Sequence, residues 1–249
     1  MAPPPLFHAG MALPILWEDR HFAVINKPAG LAAHPGPQTK DSVETRLTSQ
    51  KRGGPWLVHR LDTDTAGCLL VARRKSALIA AQQAFAEHRT IKRYWALVEG
   101  QPAEREGTLA TLLRRVSSAR QGWKMISEPA PDTTASSNHG SLARTSWRVL
   151  ASDGTSSLLE LTLHTGKTHQ ARVHCAMLST PIIGDRLYGG SGRTTDRLHL
   201  LARSLEVPIR MVAADPGRAA EQEARSFLIT ATAEDAKLEQ FLQSHAIGS

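Results

Sequence analysis

"VHRLDTDTAGCLLVARR", Val58 to Arg74, sets two carboxylates, Asp62 and Asp64, two residues apart between arginines and just ahead of an apolar run. The run "CLLVARR" has strand character, so the aspartates sit on the approach to a buried strand. Three readings are open: a metal site, an acid/base pair, or chemistry at only one of the two. Upstream, "ILWEDRHFAVINKPAG" reads as two short strands around the polar turn Glu18-Asp19-Arg20, after which Pro28, Gly30, Pro35, Gly36 and Pro37 enforce a loop.

Downstream, "SALIAAQQAFAEH" has near-helical apolar spacing with Ser76 as N-cap, and "KRYWALVEG" is strand-like up to Gly100. Residues 128–141 form a polar stretch read as an exposed loop. "SLLELTLHTG" then alternates into a strand, and "THQARVHCAML" is helical until Pro181 and Gly184. A second weakly patterned loop, 213–226, precedes the strand-like "FLITATA" and the amphipathic, acid-first helix "AEDAKLEQFLQ". Strands and helices mixed without steady βαβ alternation predict an α+β fold with a largely antiparallel sheet. The expected organisation is a loose tail over 1–13, a catalytic domain over 14–231, and a C-terminal helix and tail over 232–249.

At 249 residues the chain is long enough to bury a core without disulfides or metals. Its formal net charge is +7, and between Lys51 and Arg93 nine Lys/Arg stand against three Asp/Glu. The basic excess therefore concentrates around the opening motif, which suits a polyanionic partner. Cys68 and Cys175 are the only cysteines, read as buried thiols of a reducing compartment. The N-terminus has neither the charge nor the apolar core of a leader, and no stretch approaches the ~20 apolar residues of a membrane span. A cytoplasmic protein is expected, with no membrane partner and as a monomer.

The chemistry narrows by elimination. A Mg²⁺ nuclease converges several carboxylates on metal, whereas Asp62 and Asp64 stand among Arg60, Arg73 and Arg74. His164, His169 and His174 recur every five residues and so fall on different faces, which argues against zinc. "TGKTH" lacks the first glycine of a phosphate loop, Leu161 standing in its place, and no Gly-x-Ser-x-Gly elbow occurs. RNA cleavage by His59, His169 and Lys167 as acid/base groups remains a rival. It leaves the carboxylate at the centre of the motif unexplained, since an anionic group near an anionic polymer needs cations around it.

Four segments in order resemble the RluA-type RNA pseudouridine synthases: "INKPAGLAAHPG" (25–36), "VHRLDTDTAGCLLVA" (58–72), "KRYWALVEG" (92–100) and "TGKTHQARVHCAMLSTPIIGDRLYG" (165–189), followed by "LHLLA" (198–202). The resemblance covers roughly residues 15 to 208 and is to the compact members without a separate N-terminal RNA-binding domain. It implies the pseudouridine synthase catalytic fold, a mixed, mainly antiparallel sheet with flanking helices around a basic cleft, and an isomerase that detaches uracil from ribose and reattaches it through C5, with no metal, redox or nucleotide cofactor. Asp62 would be the essential carboxylate, Tyr94 would stack on the uracil, and Arg172 would pair with Asp62. Asp64 matches no invariant family position and is left a turn or surface role. Arg60 would sit beside the flipped nucleotide, with His59, Lys167, His169, Arg73 and Arg74 completing an RNA-binding set. Lys167 replaces the usual arginine and loses its planar fork. The implied partner is structured RNA, ribosomal or transfer, whose target base must be flipped out of its stack. A metal-independent ribonuclease using His59 and His169, and a non-catalytic RNA-binding assembly factor, are the alternatives.

Overall fold

The computed structural model describes residues 5–37, 39–49, 53–118, 122–129, 140–189, 197–212 and 224–247. Most of the two expected loops, 128–141 and 213–226, lies outside them. The chain divides into two compact units, one of residues 1–92 with 202–233, the other of residues 93–201 with 234–249.

The first unit begins with β1 (Ile15–Glu18) and β2 (Phe22–Lys27), whose turn is closed by the Asp19 carboxylate accepting from the His21 and Phe22 N–H groups. After the Pro/Gly loop come α1 (Val43–Arg46), capped reciprocally by Ser42 and Thr45, and the two-residue β3 (Trp56–Leu57). The apolar run becomes β4 (Ala66–Ala72), buried at every position after the first. Such a strand reads as a continuous apolar stretch because both its faces are covered, and α2 (Lys75–Ala86) packs on it through Ala77, Ala80, Ala81 and Ala84. α2 starts one residue before the expected Ser76 cap: its N-cap is Arg74, which makes no side-chain cap bond.

Among the described N-terminal residues, several are held against the first unit. Leu6, Phe7 and Leu13 are buried, and Leu6 and His8 exchange backbone hydrogen bonds with Thr48 and Arg46.

The second unit takes up nearly all of β5 (Ile91–Glu99), then β6 (Glu106–Ser118), β7 (Gly122–Pro129), β8 (Ser141–Ser152), β9 (Ser156–Leu163) and α3 (Gln170–Met177). Its strand order is β5-β9-β8-β6-β7, antiparallel throughout. The sheet's core joins Ala96, Val98, Leu159 and Leu161 to Cys175 of α3 and Ile182. α3 ends at Met177, where Ser179 turns the chain with φ +60°, ahead of the expected stops at Pro181 and Gly184.

The chain then returns to the first unit as β10 (Leu200–Val212) and β11 (Ala224–Thr232), giving the order β1-β2-β4-β10 with β11 beside β10 and β3 beside β4. Gly67 permits the β4–β10 approach: at φ +110°, a Cβ there would lie 2.4 Å from the Ala202 carbonyl oxygen. The last helix, α4 (Ala236–His245), belongs to the second unit and is capped by the Asp235 carboxylate, which accepts from the N–H groups of Lys237 and Leu238. An α+β fold with a largely antiparallel sheet is therefore what the chain adopts. Among the described residues no helix is long and apolar enough to cross a membrane.

Candidate active site

Asp62 and Asp64 occupy one turn between β3 and β4. The Asp62 carbonyl accepts from the Thr65 N–H at 3.1 Å, so Thr63 and Asp64 form the tip, Asp64 exposed and Asp62 half-buried. Behind the tip lies Lys27, with no solvent exposure. Its ammonium donates to the carbonyls of Pro28 (2.9 Å), Leu31 (2.6 Å) and Thr63 (2.8 Å). The Gly30 N–H donates to the same Thr63 carbonyl at 2.9 Å, from a backbone at φ +85° that glycine accepts without strain. The "INKPAG" segment thus pins the residue next to Asp62. Burial pushes the Lys27 ammonium down to about 8, against the opposing pull of the Asp64 and Asp62 carboxylates.

The basic residues around this turn divide. Arg60 and Arg74 are exposed, but Arg73 is buried at 6 % and ion-paired with Glu18, which makes it part of the scaffold rather than an RNA-facing cation. The His59 ring stacks on Phe85 at 4.8 Å, and its Nε2 accepts from the Leu70 N–H at 3.1 Å. Burial, reinforced by the Lys92 charge, lowers its basicity to about 3, so the ring stays uncharged near neutral pH. Of the six expected RNA contacts, Arg73 is buried and His59 half-buried in the packing behind the turn.

In the second unit, Tyr94 lies on β5 opposite Leu161, half-buried against the core. Arg172, buried at 8 %, lies on α3 and makes a bidentate pair with Asp185: Nε to Oδ2 and Nη2 to Oδ1, both 2.7 Å. Asp185 Oδ1 also accepts from the N–H groups of Leu187 and Tyr188, and the Arg172 guanidinium lies 5.0 Å from the centre of the Tyr188 ring. A fully buried carboxylate with this many donors fixes the arginine's stem and plane.

Two polar side chains fasten α3 to the sheet. Gln170 donates to the Arg144 carbonyl and Thr145 Oγ1, and accepts from the Lys167 N–H and the Thr165 hydroxyl. His174, 1 % exposed, lies between the hydroxyls of Thr111 (3.0 Å) and Thr145 (2.8 Å), and burial lowers its basicity to about 4. His169 begins the helix at φ +55°, with Nδ1 2.8 Å from the Tyr188 hydroxyl, while His164 bonds Ser146. The three histidines therefore bond to different groups, and among the described residues no three His, Cys, Asp or Glu side chains gather as metal ligands. Lys167 is half-buried beside them.

Lys27, Asp185, Tyr188 and Trp123 were not singled out from the sequence. The first three stand inside recognised segments, and Asp185 carried a signal: a lone acid after the apolar "PII", close downstream of an arginine on an apolar helix.

Residues 21–177 match the RNA pseudouridylate synthase family, and the chain belongs to it, a family of isomerases acting on RNA. An uncharacterized RNA pseudouridine synthase of Zymomonas mobilis is 37% identical over 202 residues, covering 79% of this chain and 88% of that protein. Ribosomal large subunit pseudouridine synthase D of the same organism is 34% identical over 203 residues, and the match covers 78% of this chain and 60% of that longer protein. The solved structure of human RNA pseudouridylate synthase domain containing 4 superposes with a TM-score of 0.68 at 25% identity, over 92% of each chain. The two alternatives, ribonuclease and assembly factor, gain no support from any of these.

Proposed function

We propose that this chain converts particular uridines of a structured RNA, ribosomal or transfer, to pseudouridine, with Asp62 as the essential carboxylate. In that reaction the N1–C1′ bond breaks, the uracil turns, a C5–C1′ bond forms, and the C5 proton leaves while N1 gains one. Composition is unchanged, so the residues need only hold, orient and move protons. The observation that carries the assignment to Asp62 rather than Asp64 is their exposure on one pinned turn: Lys27 and Gly30 fix the Thr63 carbonyl between them, and Asp62 is half-buried at the foot of the turn while Asp64 is exposed at its tip. A carboxylate that must meet one carbon of a flipped nucleotide needs such a mount.

Tyr94 stacks on the uracil in this reading, and Arg172, its plane set by Asp185, pairs with Asp62 and orients it. Arg60, Arg74, Lys167 and His169 face the RNA, with Arg60 beside the flipped nucleotide. The enzyme works as a monomer in the cytoplasm, where RNA is available and two free thiols persist.

The test uses cellular RNA tritiated at uridine C5, with label release and RNA length both measured. The protein releases tritium and leaves the RNA intact, with or without chelator. Asp62→Asn abolishes release while RNA binding stays within about twofold, and Asp64→Ala keeps activity within about threefold. Release by the Asp62→Asn variant at the normal rate overturns the assignment, and shortened RNA points to a nuclease.

A further inference from the structure

The β6–β7 hairpin turns one face onto α3. Its register places Arg115 opposite Met125 and Ser117 opposite Trp123, so Leu113, Arg115, Trp123 and Met125 share that face. Leu113 and Met125 pack with Val173 of α3 and with Tyr188. Nearer the hairpin tip, the Trp123 indole stacks on the His169 imidazole at 4.9 Å and 20°, with the Arg115 guanidinium 4.6 Å from the indole.

The hairpin and the active-site arginine meet at Tyr188. Its hydroxyl accepts from the Met125 N–H at 2.8 Å and lies 2.8 Å from His169 Nδ1. With one lone pair taken by Met125, the phenolic proton is placed to donate to a neutral His169 ring. The face of the same phenol lies against Arg172, and its own N–H is held by Asp185, the carboxylate that fixes Arg172. Trp123, His169, Tyr188 and Arg172 thus form one continuous column of contacts from hairpin to arginine.

We propose that Tyr188 is a positioning residue for the isomerisation: its hydroxyl links the hairpin to Arg172, so that RNA gripping the hairpin sets the arginine's pose. The hairpin suits that grip, because Trp123 remains 37% exposed and Arg115 is exposed, an aromatic–cation pair of the kind that meets single-stranded or flipped nucleotides. This inference rests on Arg172 being the partner of Asp62.

The experiment is a single-turnover tritium-release assay with saturating enzyme over C5-tritiated cellular RNA, on Tyr188→Phe, Trp123→Leu, the double variant and Arg172→Lys. Tyr188→Phe keeps the ring under Arg172, so its fold is retained, checked by its melting curve. Loss of the hydroxyl lowers the single-turnover rate about tenfold, with RNA affinity within about twofold. Trp123→Leu lowers both affinity and rate, and the double variant has a rate no lower than the slower single variant, because both cut the same link. A Tyr188→Phe rate equal to the parent's, a defect confined to affinity, or fully multiplicative effects in the double variant overturns the proposal. Arg172→Lys separates the levels: if it retains the full rate, the reading of Arg172 fails; if it is inactive while Tyr188→Phe is unaffected, only the proposed link fails.

Discussion

Lys27 shows what one buried charge does here. An ammonium with no solvent exposure and three carbonyl acceptors holds the Pro28–Leu31 loop and the Thr63 carbonyl together. Lys27→Met keeps much of the volume and removes all three bonds, so turnover falls at least about tenfold with RNA affinity within about twofold, read by tritium release and filter binding. The pH dependence has a defined sign. Above about pH 8 the amine deprotonates and can donate only two hydrogens, so turnover falls through that value. Its folded value lies below the ordinary 10.5, so from about 8 to 10.5 the folded state holds fewer protons and this group's contribution to stability rises. Turnover therefore falls across a window in which Lys27 does not lower the melting temperature. Asp62 and Asp64 were separable in the sequence only through the surrounding motif. The burial of Arg73 and the ring packing of His59 on Phe85 were not legible, because an arginine or histidine beside an apolar strand looks the same whether it faces water or folds back under the turn.

Among the elements, α3 and the β6–β7 hairpin govern the second unit. His174 holds α3 to β6 and β8 through two threonine hydroxyls while neutral. Its folded value of about 4 lies below the ordinary 6.5, so the stability it contributes is fully present above pH 6.5 and is lost as pH falls toward 4. Between pH 7 and pH 5 the loss is about 2 kcal/mol, visible as a drop in the urea midpoint. His174→Gln is less stable at pH 7 but shows a smaller drop; an equal drop in both proteins assigns the acid sensitivity elsewhere. The strands β4, β5, β9 and β11 and the helices α2, α3 and α4 were legible because each is a short run with clean apolar patterning. β6 and β7 were not. "EGTLATLLRRVSS" carries two arginines in its middle, one paired with Glu128 and one set against Trp123, and such a half-covered strand gives no steady alternation. Ser76 looked like a cap by residue type, yet α2 begins one residue earlier, where the strand exits β4.

For the whole molecule, the net charge of +7 is the term that any RNA partner meets first. RNA binding therefore weakens linearly in log–log terms with added salt, by at least about tenfold between 50 and 200 mM. A flat titration shows that the excess charge makes no phosphate contacts. The α+β class was readable from the mixture of elements, but the division into two units was not. Composition does not mark the point after Leu201 where the chain rejoins the unit it left at Lys92, and "LHLLA" draws notice as a motif rather than as the start of a thirteen-residue strand.

That return has a consequence for synthesis. β4 needs β10 as its neighbour, and β10 is translated more than a hundred residues later. While the ribosome makes the intervening second unit, the stretch of β4 around Gly67 stands with one edge open, β3 and His59 having already met Leu70 to Ala72. Long-range pairings of this kind close late and slowly. The second unit's sheet, built from strands contiguous in sequence, can form first, and the nascent chain carries that part of the β4 edge uncovered until β10 has left the exit tunnel.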